Sequence, residues 1–283
     1  MSLVLANPVG PCWHNSLFVN PRADQFLQLV VHILHTFAVD TKLGKLVSPQ
    51  DAGRAKVKLD TTMSEINQES IRAMRLSYGQ AGLADSDLDA DPIEQFKKWL
   101  GEAVENIMVV EANAMVLSTI TDGTPVSRTV LLKDITPDGF TFFTNYLSRK
   151  AKAISETPKV SLLFPWYPME RQVIIIGSAE KVSAQESDDY FASRPWGSQI
   201  GATASAQSEE LESREVLEAK YAETAAKYPQ GTSVPRPDYW GGYLVRPVSI
   251  EFWQGRYSRL HDRLRYVRSD SQKTDWQVKR LNP

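Results

Sequence analysis

Four stretches of this sequence combine side chains able to bind an anion or move a proton. In "SRLHDRLRYVR", residues 258–268, an extended backbone would project Arg259, His261 and Arg263 from one face, because strand side chains alternate with period two. That face would crowd three groups that are, or can become, positive, and an anionic ligand would offset them. His261 is the only histidine beyond residue 35, which makes it the obvious proton carrier near neutral pH. Two arginines beside it oppose its protonation, so an orienting neutral imidazole is an equal reading.

The other three stretches suit phosphate. In "NYLSRKAKAIS", Ser148, Arg149 and Lys150 fall between a strand and a short helix, where free N–H groups, the helix dipole and two cations could converge. A solvated basic helix start would have the same composition. "SRTVLLK" sets Arg128 and Lys133 at opposite ends of an apolar strand. Their spacing turns them to opposite sides of a regular strand, so joint action needs a bulge or a strand end between them; otherwise they merely flank a buried strand. In "VSAQESDDYFASRPWGSQIG", Ser183 and Glu186 form a capping-box pattern that places Tyr190 and Arg194 on one helix face before Pro195 ends the helix. With Ser198 in the following loop, they form a donor set suited to a phosphate monoester. The competing arrangement packs Tyr190 in the core and pairs Arg194 with Asp188 or Asp189.

Composition narrows the chemistry. With 283 residues, 42% hydrophobic and 23% charged, the chain suits one substantial globular domain or two small ones. A net charge of -2 argues against a nucleic-acid binder, which needs a basic surface. Cys12 is the only cysteine, and His14, His32 and His35 are confined to the leader. No disulfide framework or metal centre is therefore expected within one chain, and a hydrolytic triad would have only His261 as its base. The apolar run in "DQFLQLVVHILHTFAV" is short of the ~20 residues that span a bilayer. It also lacks the basic start and small-residue cleavage site of a secretory signal, so the expected location is cytoplasmic, with no membrane partner. Met63 opens the polar, helix-prone "MSEINQESIRAMRLSYGQAGL". Residues 1–62 are expected to be a dispensable extension or the product of an upstream start codon, and residues 63–283 the working domain.

The elements that must position these groups alternate in type. "DADPIEQFKKWLGEAVE" has Asp91 as N-cap, Pro92 at N1 and Glu94 at N3, with Ile93, Phe96, Leu100 and Val104 at helical spacing, which predicts an amphipathic helix. "AMVLSTIT", the Asp122–Gly123 turn and "VSRTVLLKDI" predict a hairpin. "GFTFFTN", "VSLLFPW" and "RQVIIIGSAEKVS" follow as strands with short links, a succession that favours a barrel or sandwich over a doubly wound parallel sheet. Helices over "AQESDDYFAS" and "SEELESREVLEAKYAETAAKY" interrupt, and "WGGYLVRPVSIEFWQG" and "RLHDRLRYVR" return the chain to strands.

"RTVLLK", "FFTNYLSRKAKAI", "LFPWYPMERQV", "YFASRPWGSQIGA", "QS" at 207–208, "YWGGYLVRP", "IEFWQGRYSRLHDR" and the closing "RLNP", taken in order, resemble the pyridoxine (pyridoxamine) 5′-phosphate oxidase family. The resemblance runs from about residue 72 to 283 and leaves 1–62 outside. It implies an α+β fold, an FMN-binding split β-barrel with flanking helices, acting as a homodimer with two sites at the subunit interface. In the family, positions matching Arg128, Thr129, Val130, Leu131, Leu132, Lys133, Phe143, Thr144, Arg149 and Lys150 bind FMN from one subunit. Those matching Gln172, Gln207, Ser208, Trp253 and Arg263 come from the other. Positions matching Lys133, Tyr190, Arg194 and Ser198 hold the substrate phosphate, and those matching Arg259, Leu260 and His261 approach its pyridine ring. A segment matching Arg75 to Tyr78 closes over the site. Phe143 departs from the family's common tyrosine, which removes any hydroxyl contact there and leaves backbone contacts intact.

The implied reaction oxidises the C4′ alcohol of pyridoxine 5′-phosphate, or the amine of pyridoxamine 5′-phosphate, to pyridoxal 5′-phosphate. Hydride passes to flavin N5, and oxygen leaves as hydrogen peroxide. Arg259 would position the ring and stabilise charge, while His261 orients it or takes the alcohol proton. A flavin reductase or a non-catalytic flavin or pyridoxal-phosphate carrier could share the barrel. Neither needs Tyr190, Arg194, Ser198, Arg259 and His261 together.

Overall fold

The structure is a computed structural model that describes residues 68–73, 78–79, 82–268 and 275–283. Residues 1–62, which the sequence sets apart, and Arg75 lie outside the described residues. The chain divides into two compact units, 1–74 and 75–283. In the first, helix α1 (Gln68–Ala73) is described; the elements below belong to the second.

Helix α2 (Pro92–Glu105) starts as its sequence requires, with Asp91 accepting the Ile93 N–H and Pro92 in the first turn. Its buried face is Ile93, Phe96, Trp99 and Ala103, together with Gln95. Val104, expected on that face, is exposed instead: the stripe advances from Phe96 to Trp99 and Ala103, and Val104 falls just past its edge. Phe96 meets Phe140 and Phe164 edge-on at 4.9 and 4.8 Å, and Trp99 meets Phe252 at 5.1 Å. This helix thus covers one face of the sheet, and aromatic edge contacts make up much of the core.

The sheet is antiparallel in every ladder. Strands β1 (Ala114–Thr121) and β2 (Thr124–Leu131) form the expected hairpin around Asp122 and Gly123, both at positive φ. Next come β3 (Asp134–Thr136), β4 (Gly139–Asn145), β5 (Lys159–Trp166), β6 (Arg171–Lys181), β7 (Trp240–Gln254), β8 (Asp262–Val267) and β9 (Gln277–Arg280). The main path runs β2-β1-β5-β6-β7-β4-β3, while β8 joins β7 and carries β9. The ends of this path, β2 and β3, are consecutive in the chain with only Leu132 and Lys133 between them. The sheet must therefore curl until its edges meet, though no ladder joins β2 to β3 among the described residues. The result is a split barrel with a seam.

Strand β7 can serve three neighbours because it bends. Its register with β6 shifts between Ile176 and Gly177, opposite Pro247. A side chain at Gly177 would sit 2.2 Å from the Arg246 carbonyl oxygen, so glycine permits the bulge. The first half of β7 then pairs with β4 and the second with β8.

Helices α3 (Arg149–Glu156), α4 (Ala184–Ser193), α5 (Trp196–Ala204) and α6 (Arg214–Lys227) flank the sheet. The capping box at Ser183 and Glu186 forms as expected. Helix α5 is unanticipated: Ser198 lies in its first turn, not in a loop. Pro195 ends α4 and, with φ -53°, also opens α5, because the geometry that stops one helix suits the start of another. Phe191, Ile200, Val234 and Trp240 make a second apolar cluster between these helices and β7.

Candidate functional site

The seam opens into a cavity of about 420 Å³ walled by the end of β2, by β4, and by α4 and α5. The strand end resolves the parity problem in "SRTVLLK". Strand β2 stops at Leu131, so Lys133 is released from alternation, and its N–H bonds to the Thr141 carbonyl at 2.8 Å. Thr129, Val130, Leu131 and Lys133 line the cavity with Phe143, Thr144, Lys150, Tyr190, Arg194 and Gln207. Leu132 turns into the core. Arg128 is not in the wall; its guanidinium donates to the Leu117 carbonyl at 3.1 Å and to Thr119 Oγ1 at 2.8 Å.

The cavity is built for negative charge. Lys150 donates to Thr144 Oγ1 and Gln207 Oε1, both at 3.2 Å, and to Ser148 Oγ at 3.4 Å. Burial, then Arg128 nearby, pushes the Lys150 pKa down. Burial, then Arg149, does the same to Arg128. No carboxylate pairs with Arg128, Arg149, Lys150 or Arg194 among the described residues. Arg194 lies 4.7 Å from the Trp240 ring centre. Its Nη1 is buried without a hydrogen-bond partner, and burial lowers its pKa. The alternative partner Asp188 is taken by Arg236 at 2.6 Å. An orphaned guanidinium donor in a pocket of unpaired cations fits a phosphate-bearing ligand. Tyr190 packs against the second apolar cluster and also lines the cavity. It stacks on Phe143 at 3.9 Å, and both lie nearly parallel to Trp240, forming one aromatic wall.

The remaining candidates gather elsewhere. Gln172, Trp253 and Arg263 are direct neighbours across β6, β7 and β8, and His261 and Tyr78 pack on Trp253 at 4.7 and 5.8 Å between ring centres. None of these lines the seam cavity of the same chain. Arg263 donates to the buried Glu251 at 2.8 Å and to the Asn282 carbonyl at 3.1 Å. Gln207, which the resemblance gives to the second subunit, sits in its own chain's cavity, where Thr144 Oγ1 donates to it at 3.0 Å. Ser208 beside it is exposed at φ 76°. Ser198 and Arg149 are both exposed, and neither joins the wall.

The extended reading of "SRLHD" fails. Ser258 and Arg259 take left-handed φ values of 56° and 62° in a tight turn, Leu260 is exposed, and β8 begins only at Asp262. Arg259, His261 and Arg263 therefore do not share a strand face. Two successive left-handed residues without glycine cost on the order of 1–2 kcal/mol each, so the surrounding contacts must enforce the turn.

In that turn the Arg256 N–H donates to His261 Nδ1 at 3.1 Å, which puts the ring proton on Nε2. Burial, then Arg259, holds the His261 pKa below the ordinary imidazole value. A ¹⁵N NMR titration of His261 should accordingly give a midpoint below about 6.5, with the Nε2–H tautomer above it. A midpoint above that value would contradict the geometry.

Among the described residues, no three His, Cys, Asp or Glu side chains group to hold a metal ion, and no helix is long and apolar enough to cross a membrane. The family model described as pyridoxamine 5′-phosphate oxidase matches residues 100–228, and that described as pyridoxine 5′-phosphate oxidase C-terminal dimerisation region matches 240–283. The pyridoxine/pyridoxamine 5′-phosphate oxidase of Streptomyces avermitilis is 49% identical over 215 residues, 75% of this chain and 95% of that protein. Its namesake from Rubrobacter xylanophilus is 51% identical over 222 residues, 78% of this chain and 100% of that one. Among solved structures, PhzG from Burkholderia lata, in complex with tetrahydrophenazine-1-carboxylic acid, is 34% identical with a TM-score of 0.67, covering 74% of this chain and all of PhzG. An FMN-binding protein from Nostoc punctiforme shares the fold, with a TM-score of 0.54 at 17% identity over 72% of this chain and all of that one. The chain belongs to the pyridoxine/pyridoxamine 5′-phosphate oxidase family.

Proposed function

We propose that this chain is an FMN-dependent oxidase that converts pyridoxine 5′-phosphate and pyridoxamine 5′-phosphate to pyridoxal 5′-phosphate, with oxygen as electron acceptor. The observation that carries the reading is the seam cavity with its unpaired cations and the orphaned Arg194 donor. Two anionic ligands, a flavin phosphate and a substrate phosphate, account for more positive charge than either would alone. When bound, FMN would supply the redox chemistry, as the two-electron carrier between the substrate's C4′ and oxygen.

The chain's own residues bind and orient. Lys150 holds the cofactor phosphate, with Arg128 and Arg149 adding positive charge behind it, while Lys133, Tyr190 and Arg194 hold the substrate's. His261, with Nδ1 occupied by the Arg256 N–H, presents an Nε2–H that can donate to the substrate as an orienting group. The Arg259 guanidinium stabilises negative charge on the pyridine. The Trp253 row and the His261 turn complete the seam cavity of a second copy, so the active unit is a homodimer. The C-terminal match to a dimerisation region supports this arrangement.

The test is to add pyridoxine 5′-phosphate to the FMN-loaded protein without oxygen and follow the flavin's visible absorbance. Bleaching is expected, then recovery on admitting air with release of pyridoxal 5′-phosphate. A flavin that stays oxidised with this substrate yet bleaches with a nicotinamide nucleotide would replace the oxidase reading with a reductase.

A further inference from the structure

The strained turn that carries Arg259 and His261 is held by a residue that no role yet described requires. Asp262 is the first residue of β8, and its carboxylate is shared three ways. Oδ2 accepts the Leu83 N–H at 2.9 Å and Arg256 Nη1 at 3.2 Å, while Oδ1 accepts Arg280 Nη1 at 2.7 Å. Arg280 in turn donates to the Leu83 carbonyl at 3.1 Å and to Asp85 at 2.6 Å. The Asp262–Arg280 pair thus satisfies both backbone groups of Leu83, much as a neighbouring strand would. Leu83 is buried, and a side chain at Gly82 would collide with the Arg256 guanidinium.

The same carboxylate closes the turn. Arg256 reaches Asp262 with its guanidinium and His261 with its N–H, so residues 256 to 262 form a loop tied at its base. Upstream of Leu83, the Gly79 N–H is held by Glu170 at 3.0 Å, and the Tyr78 ring meets His261 edge-on at 5.5 Å. One side chain therefore ties the turn that carries the imidazole to the backbone at Leu83.

We propose that Asp262 is a positioning residue of the oxidase: by tying Arg256, Arg280 and the Leu83 backbone together, it sets the Arg259–His261 turn. The role rests on the oxidase reading. Misplacing an orienting group by an ångström costs about a hundredfold in rate, and loosening this tie releases two such groups together. FMN affinity should change little in an Asp262 variant, because Lys150 lines the seam cavity and Asp262 does not.

The test compares the wild-type and Asp262→Asn holoproteins. The variant should retain its FMN affinity, while its rate constant for anaerobic flavin reduction at saturating pyridoxine 5′-phosphate falls about ten- to a hundredfold. The His261 Nδ1 resonance should lose its hydrogen-bonded signature and move toward the tautomer average. Arg256→Gln alters an exposed side chain and keeps the backbone N–H, so it should fold even if the first variant does not; a smaller fall in the same rate constant is expected. Unchanged reduction and an unchanged Nδ1 resonance in the folded variants would overturn the positioning role. If the wild-type flavin is not reduced, the oxidase reading fails instead, and the Nδ1 resonance still tests the tie between Asp262 and the turn.

Discussion

Replacing Arg194 with alanine should lower kcat/KM for pyridoxine 5′-phosphate by two to three orders of magnitude and leave FMN bound. The guanidinium lies against Trp240 and its Nη1 has no protein acceptor, so a ligand can take that donor without a protein hydrogen bond being broken. Burial lowers its pKa, but an arginine remains charged at any working pH. Removing one member of a buried, hydrogen-bonded charge pair costs about 2–5 kcal/mol, and each 1.4 kcal/mol is about a factor of ten. The phosphate is remote from the reacting C4′, so the loss should fall chiefly on KM. Arg194→Lys should recover little, because an ammonium reproduces neither the planar fork nor the stacking on Trp240. Steady-state kinetics of both variants decide the matter. A loss below threefold in the alanine variant would remove Arg194 from the phosphate site.

Replacing Lys150 with methionine should weaken FMN binding about ten- to a hundredfold, in line with the ~1.5–3 kcal/mol of a hydrogen bond to a charged group. Thr144, Ser148 and Gln207 solvate the ammonium with neutral oxygens only, so its charge stays available to a ligand. The electrostatics also give a pH signature. Because the folded pKa of Lys150 is lowered, the unfolded chain holds the extra proton between that value and the ordinary ~10.4 of lysine. Apoprotein stability should therefore rise with pH across that window. A bound phosphate favours the ammonium and should flatten or reverse the slope. Fluorescence titration with FMN and thermal melts with and without it measure both effects. Equal affinity in the variant and the wild type would exclude Lys150 from the cofactor site.

What the sequence made legible was local. Asp91 with Pro92, Ser183 with Glu186 and the Asp122–Gly123 turn each specify their geometry within a few residues, and each forms as expected. The cations of "SRTVLLK" and "NYLSRKAKAIS" were legible only as candidates, because whether Lys133 and Lys150 share a cavity depends on where β2 stops. That boundary is set by the Leu132 N–H bonding to Asn113 and the Lys133 N–H to Thr141, contacts outside the motif. The period-two reading of "SRLHD" failed because nothing local announces left-handed backbone at Ser258 and Arg259, neither of them glycine. Contacts from distant chain stabilise that turn, and for the same reason Asp262 escaped notice: its partner Leu83 is 179 positions away. Helix α5 was hidden by treating Pro195 only as a terminator. That Gln207 reaches Thr144 of its own chain was not legible, because it depends on the fold that returns the segment after α5 to β4.

The seam also fixes when the pocket comes into being. Strand β4 supplies Phe143, Thr144 and Asn145 to the cavity wall, but it pairs with β7, from Phe140 with Val245 to Asn145 with Trp240. Trp240 itself closes the wall. A chain emerging from the ribosome would have made the cofactor's phosphate ligands long before the strand that encloses them. A chain cut short before Trp240 would lack the strand that closes this wall and should not retain a ligand there.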